Sequence, residues 1–492
     1  MVQHIVGKNE KSGVQKFALN IWSLTLSQFL YRGVSLGLAV YLARLFGASD
    51  LGAFYTAIGL ISIFTSFTDF GFSNLIIKEV SRDRSLAQQY LNNFFSIQLI
   101  VGTCFIGFII STGYIIGYPT MTMYALIIGS TIPLITGLAN CFNALLSAHE
   151  LLYPFAMIEV VCMLVYAAVN VVLMLLGMPI LYFVAALVVT ALVKLGLAFV
   201  WGAKFHLFVH LRFERKVIGH LFVLGFPFFL FNGIHYALQR IDVVIVSLLA
   251  TDLIVGHYAG ASRLIFSTIF IASIGAAALY PTLARMLQTD TQRTEFITNT
   301  AAQMLFALGS IIAVFCSVGA GWIIPLLYGP AFTDTIIPFA ILSWVVPVFS
   351  FGIVYGNVLL VGEKVYRAVA TNFLSLVILC GSCFIVYPSY GLIGIAVVVV
   401  IAETVRAIFF SSLVYRYHRF RIAALPIILS LLGSSLAIAL GITLNKFSFV
   451  VGMSAALMVV VFSGMISGTI NRRSVMFLFD LFVRRSVRTN PA

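Results

Sequence analysis

About fourteen apolar stretches, each long enough to cross a bilayer, fill the chain almost from end to end. A helix of ~20 residues spans a hydrocarbon layer of ~30 Å. A chain of 492 residues holds fourteen such spans only when nearly every connection is short. The spans read approximately as 18–44, 50–75, 91–116, 121–147, 153–177, 180–203, 219–247, 252–283, 297–326, 335–360, 367–387, 391–415, 422–442 and 449–470. With 61% apolar residues, 9% charged residues and a mean hydropathy of +1.08, lipid rather than water is the expected solvent. Helix is the predicted state throughout, because lipid-exposed backbone must satisfy its own hydrogen bonds and no alternating barrel pattern is present. No connection has room for a separate catalytic domain, so function is expected among the helices.

Charge orients the spans. Basic residues fall on alternate connections: Lys8, Lys11 and Lys16; Lys78, Arg82 and Arg84; Lys204, Arg212, Arg215 and Lys216; Arg285 and Arg293; Lys364 and Arg367; Arg416, Arg419 and Arg421; and the arginines 472, 473, 484, 485 and 488. The opposite connections carry little beyond Arg44 and Lys446. The positive-inside rule then places both termini in the cytoplasm and makes the number of spans even, in a plasma (inner) membrane. The net charge of +13 is thereby explained by topology and anionic headgroups rather than by nucleic acid. The first span is too long, and too interrupted by Arg32, to read as a cleaved signal peptide. The tail 471–492 is basic with apolar patches and is expected to lie on the membrane surface.

The chain resembles itself at an offset of about 204 to 214 residues. Gly52-Ala-Phe54-Tyr-Thr-Ala57 is similar to Gly256-His-Tyr258-Ala-Gly-Ala261, Pro133 corresponds to Pro347, and Asn143-Ala-Leu145-Leu146 to Asn357-Val-Leu359-Leu360. An all-α polytopic fold follows: two six-helix bundles at 18–216 and 217–421, an additional helix pair at 422–470, and cytoplasmic segments at 1–17 and 471–492. Six helices per repeat insert both copies the same way round. That implies a pseudo-two-fold along the membrane normal and a cleft between the bundles.

Ionisable side chains inside spans cost about 2.5–3.5 kcal/mol each at a helix centre and are expected to face protein or a water-filled cavity. They are Arg32, Asp69, Glu159, Lys194, Arg240, Asp242, Arg263, Glu403 and Arg406. Arg32 lies mid-helix, beyond easy snorkelling reach, and Arg263 follows the small residues Ala259-Gly-Ala-Ser262. For Arg240 and Asp242, snorkelling and function compete. For Asp69 a structural role at a helix end competes with ligand contact. Glu403 and Arg406, i and i+3 on one helix, read as a structural pair, and Glu159 and Lys194 as a pair across helices. Proton or sodium coupling is the alternative for both pairs. The unpaired set Arg32, Arg240 and Arg263 comes from helices 1, 7 and 8. Arginine grips phosphate bidentately, so a cleft biased toward it suits an anionic headgroup better than a cationic drug.

Other motifs are weak. Cys380-Gly-Ser-Cys383 has redox spacing but lies in an apolar helix, where free cysteine behaves as a small apolar residue. There is no Walker A loop and no HExxH or GxSxG motif, and His206, His210 and His220 lack a metal-binding pattern. Neither a cofactor nor a metal is expected.

Several runs resemble the polysaccharide-exporter (Wzx-type flippase) branch of the MOP transporter superfamily over nearly the full length. They are Asp69-Phe-Gly-Phe-Ser73, Ile77-Lys-Glu-Val-Ser-Arg82, Gly225-Phe-Pro227, Arg240-Ile-Asp242, Tyr258-Ala-Gly-Ala-Ser-Arg263-Leu264 and Leu327-Tyr-Gly329-Pro-Ala-Phe332. The resemblance implies a non-enzymatic flippase carrying a polyprenyl-phosphate-linked or pyrophosphate-linked oligosaccharide from the cytoplasmic to the outer leaflet by alternating access. It also implies a basic central cavity, with carry-over safest at Arg263 and Asp242. Implied partners are the lipid-linked oligosaccharide, membrane lipids, a coupling ion (H+ or Na+) and glycan-assembly enzymes. Two rivals stay open: a MATE-like multidrug or cation antiporter, and a polytopic glycan polymerase or ligase, for which the outer connections are short.

Overall fold

A 56-residue helix, Gly13–Thr68, is about 84 Å long if straight, far more than one crossing needs. It breaks at Gly47, whose φ of 74° and ψ of −176° suit only glycine. The arms fold back on each other, since Tyr31, Ser35 and Leu42 line the same cavity as Tyr55, Ile58 and Ile61. The 54-residue helix Val365–His418 repeats the device at Gly391, with φ 54°. Ser375 and Leu379 on one arm face the same pocket as Glu403 and Arg406 on the other.

The computed structural model describes residues 13–149, 152–287, 289–362, 364–422 and 424–470; the predicted surface tail lies outside them. Among these residues, twelve continuous helical stretches are long and apolar enough to cross a membrane. Counting the two broken ones as hairpins gives fourteen passes, as expected from the sequence. Passes 1 and 2 are the arms of Gly13–Thr68. Passes 3 to 6 are Ala87–Ile116, Thr120–Ala148, Leu152–Leu175 and Leu181–Lys204. Pass 7 is two helices, Arg215–Leu238 and Ile241–Leu249, and passes 8 to 10 are Asp252–Met286, Thr291–Tyr328 and Pro330–Val361. Passes 11 and 12 are the arms of Val365–His418, and passes 13 and 14 are Ala424–Asn445 and Phe449–Ile466. The last two pack on each other and on pass 9, through Val314, Val318, Ala437 and Ala456.

The core is divided unequally along the membrane normal. Its largest cluster joins residues from both repeats, from Leu42 and Leu51 to Tyr258, Phe349 and Val398. Toward the end bearing the basic connections it gives way to two clusters. One, with Phe72, Phe94 and Phe142, draws mainly on passes 2 to 6; the other, with Leu283, Tyr355 and Phe410, on passes 8 to 12. The repeats therefore share a core at the far end, while at the basic end the second repeat joins the first repeat's cluster only through the start of pass 7, at Leu221.

The connection between the repeats is stitched to pass 3. Gln88, Asn92 and Ser96 accept hydrogen bonds from the backbone N–H groups of Phe208, His210 and Arg212 at 3.3, 2.9 and 3.1 Å. Four helical residues rise about 6 Å and two extended residues about 6.6 Å, so every fourth helix side chain meets every second linker amide. Asn93 accepts from the Glu214 amide at 2.7 Å and closes the seam.

Candidate functional site

A cavity of about 360 Å³ lies among passes 1, 2, 4, 5 and 6, with Arg263 of pass 8 in its wall. Its size falls within the range of small-molecule sites. Tyr31, Tyr55 and Tyr166 contribute rings, Ser35, Ser62, Thr65, Thr136 and Thr190 hydroxyls, and Glu159 and Lys194 charges. The cavity thus sits within the first repeat, whereas the sequence pointed to a cleft between repeats.

Arg263 reaches it from a helix face of small residues: Ala259 and Ala261 are buried on either side of Gly260. Its Nη2 donates to Ser35 Oγ across the repeats at 2.6 Å. Its Nε is buried and has no acceptor. A guanidinium offers five donors, and a buried N–H without a partner carries a desolvation penalty of about 1–3 kcal/mol. Arg263 is therefore matched to an acceptor-rich ligand.

The other two arginines gather around it. Arg240 sits at the break in pass 7, within electrostatic reach of Arg263, Arg32, Asp242 and Tyr55. Arg32 lies over the Phe270 ring, 4.3 Å from its centre, and neighbours Arg263 and Tyr236. Neither lines the cavity itself, but the three arginines from passes 1, 7 and 8 do converge. Like charges within electrostatic reach of one another repel and favour an anion among them.

The carboxylates are spent elsewhere. Glu159 accepts from Lys194 Nζ at 2.8 Å inside the cavity wall. Glu403 pairs with Arg406, with Nε to Oε2 at 3.0 Å, remote from that cavity. Asp242 is fully buried: its Oδ2 accepts from Tyr258 and Ser262 hydroxyls at 2.9 and 3.0 Å, while its Oδ1 has no partner. It faces these side chains rather than the cavity. Asp69 accepts from the Ser73 hydroxyl, and its carbonyl accepts the Phe72 amide at 2.9 Å. It thereby fixes the turn at Phe70 and Gly71, both at positive φ, and also lies off the cavity wall. Ser35, Tyr55 and Tyr166 escaped the sequence reading because uncharged polar residues in a span look like core; the spacing of Ser35 from Arg32 was the available signal.

Contacts between the repeats bracket the cavity region at both ends. At the far end a Cβ on Gly52 would overlap the Asp252 carbonyl, and one on Gly256 the Ala48 carbonyl. Arg44 Nε donates to the Leu327 carbonyl at 2.6 Å, and Tyr118 meets Ser247 at 2.7 Å. At the basic end, Gly71 lies against Gly225 and Phe70 stacks on Phe229, centroids 4.6 Å apart. Beyond them Glu79 accepts from Tyr90 and from His220, the latter at 2.8 Å.

A sequence model of the polysaccharide biosynthesis protein family matches residues 17–287. No curated protein matches by sequence. Among solved structures, a lipid II flippase MurJ in an inward closed conformation is similar over 90% of this chain and 97% of its own, with TM-score 0.70 and 15% identity. An inward-facing MATE-family multidrug resistance transporter of the MOP superfamily is similar over 83% of this chain and 98% of its own, with TM-score 0.66 and 16% identity. A MOP transporter from Pyrococcus furiosus, described as having a binding pocket of reverse polarity that suggests a different function, covers 85% of this chain and 99% of its own, with TM-score 0.53 and 17% identity. At these identities the likeness shows the fold: a multi-pass integral membrane protein built as MOP-superfamily transporters are.

Proposed function

Because the chain belongs to the polysaccharide biosynthesis protein family and shares the fold of MOP transporters, we propose that it flips a lipid-linked oligosaccharide from the cytoplasmic to the outer leaflet. The observation that carries this reading is Arg263, a cavity-wall guanidinium with an idle buried donor, backed by Arg32 and Arg240. Those groups complement the phosphate or pyrophosphate joining glycan to polyprenyl carrier. In the Pyrococcus furiosus relative, pocket polarity is the feature taken to distinguish function, so the sign of this pocket is the property to read.

The wall suits a sugar beside the phosphate. Thr65 and Thr190 commit their hydroxyl protons to the Ile61 and Ala186 carbonyls at 2.7 and 2.8 Å, leaving lone pairs for sugar hydroxyls. Tyr31, Tyr55 and Tyr166 supply rings for sugar faces. The basic end lies in the cytoplasm of the plasma (inner) membrane. Transport proceeds by alternating access, with segments 18–216 and 217–421 rocking about the cavity while the closures at Gly52–Gly256 and Gly71–Gly225 part in turn. The energy source is a coupling ion, H+ or Na+, engaging the Glu159–Lys194 or Glu403–Arg406 groups.

A drug antiporter would want a free carboxylate for its cation; Glu159, the carboxylate on the cavity wall, is neutralised by Lys194. In a host whose surface glycan depends on this chain, Arg263→Ala and Arg32→Ala are expected to remove surface glycan and leave drug tolerance unchanged. Loss of drug tolerance with intact glycan would refute the reading.

A further inference from the structure

A second polar pocket, not foreseen from the sequence, lies in the other repeat, where pass 7 breaks. Its cavity is small, about 20 Å³, with His235, Gln239, Ser375, Glu403 and Arg406 among its walls. That is room for roughly one water. Ser375 Oγ is buried there without a partner.

His235 is at its centre. The ring stacks on Phe231 at an interplanar angle of 4° and leans on Phe349. Gln239 meets its Nε2 at 3.1 Å, and Arg406 Nη1 faces its Nδ1 at 3.5 Å. The Gln239 atom is its amide nitrogen, so donors face both ring nitrogens; a neutral ring can accept from one of them, and a doubly protonated ring from neither. Tyr236 and Gln239 on its own pass, Phe266 of pass 8, Phe349 of pass 10 and Ser375, Glu403 and Arg406 of passes 11 and 12 are the groups around it. Only Glu403 and Arg406 carry charge, and they neutralise each other.

We propose that His235 is the proton-binding residue of the transport cycle, and that its protonation expels Arg406 and moves the break in pass 7. A proton from water bonds to the ring nitrogen that still holds a lone pair, the Arg406 contact is lost, and the Glu403 carboxylate accepts from the imidazolium instead. A second cation beside Arg406 in this small pocket is disfavoured, so proton binding works against the present conformation. The consequence reaches the cargo site because Arg240 lies five residues on, across the break at Gln239. The inference rests on the transporter reading and selects H+ as the coupling ion.

The test uses the full chain in lipid nanodiscs, its six cysteines replaced, with spin labels at Ser49→Cys and Thr251→Cys across the far-end closure. Distances are measured at about pH 8 and about pH 5.5, on either side of the ordinary histidine range. The wild-type background is expected to gain a longer-distance population severalfold in acid. His235→Gln holds one distribution at both values, and Glu403→Gln reduces the acid response. An acid shift that survives in His235→Gln, or none in the wild type, overturns the proposal. Binding of undecaprenyl phosphate to the same discs is scored separately, and His235→Gln is expected to retain it. Failure of the wild type to bind would undo the transporter reading while leaving the pH result standing.

Discussion

Gly52 and Gly256 cross reciprocally: a methyl group on either would overlap a backbone carbonyl of the other's helix, that of Asp252 for Gly52 and that of Ala48 for Gly256. The equivalent residues, Gly52 and Gly256 and likewise Ala48 and Asp252, are each 204 positions apart, an offset at which the sequence resembles itself. A weak repeat in sequence is thus a physical symmetry at the far end of the protein. Glycine is required there because two backbones, not two side chains, are in contact.

Adding that methyl group forces the crossing apart. Gly52→Ala and Gly256→Ala are each expected to lower stability in detergent by about 1–3 kcal/mol, the usual range for overpacking. The double variant should cost less than the two singles together, because both strain one contact. Gly37 is the control, since a methyl group added there would meet nothing within 4 Å. Gly37→Ala is expected to leave stability unchanged or raise it by up to about 1 kcal/mol. Denaturant unfolding of the purified chain checks all four.

Glu79 and His220 meet at 2.8 Å and join the two repeats at the basic end; the two ion pairs of lysine or arginine with a carboxylate among the described residues each stay within one repeat. His220 is 45% exposed, which limits the pair to about 0.2–1 kcal/mol. Glu79→Gln and His220→Gln are therefore expected to speed labelling of a Ser62→Cys thiol in the cavity wall by no more than about fivefold each. The double substitution should add little. An impermeant thiol reagent on a cysteine-free background gives the rates.

The linker seam is a stability element with a local readout. Asn92→Ala removes the acceptor for the His210 amide, and Gln88→Ala that for Phe208. Each is expected to cost about 0.5–1.5 kcal/mol and to expose residues 205–214 to limited proteolysis before the rest of the chain. Mass spectrometry of the first cleavage products locates the cut.

Glu159 and Lys194 test structure against coupling. Removing Glu159 alone strands a cation in the membrane, so Glu159→Ala is expected to be more harmful than Glu159→Ala with Lys194→Ala. Thermal unfolding measures the stability difference. Ion-driven transport that stays lost in the stable double variant would assign the pair to coupling.

Much of this was legible in the residues. Pass number came from apolar length, and both hairpin glycines, Gly47 and Gly391, fall at span ends. The Glu159–Lys194 and Glu403–Arg406 pairs followed from the penalty on unpaired charge in lipid. Helix rotation was not legible. A span seen from sequence shows Arg32 and Ser35 on one face but not which neighbour that face meets, so the cavity's position within the first repeat stayed hidden. Asp242 turns toward Tyr258 and Ser262 because pass 7 breaks at Gln239 and Arg240, and no periodicity signals that break. His235 was invisible for a related reason: a lone histidine in an apolar helix gains meaning only when Arg406, far along the chain, packs beside it.

The central claim is that Arg263 grips the phosphate of a lipid-linked glycan. Its most direct test is delivery of a polyprenyl-pyrophosphate-linked oligosaccharide to the opposite leaflet of vesicles holding the purified chain. Losing a buried charge-assisted hydrogen bond is worth about 1.5–3 kcal/mol. Arg263→Ala is therefore expected to slow delivery by roughly ten- to a hundredfold, and Arg263→Lys by less. Wild-type delivery that Arg263→Ala leaves unchanged would contradict the account.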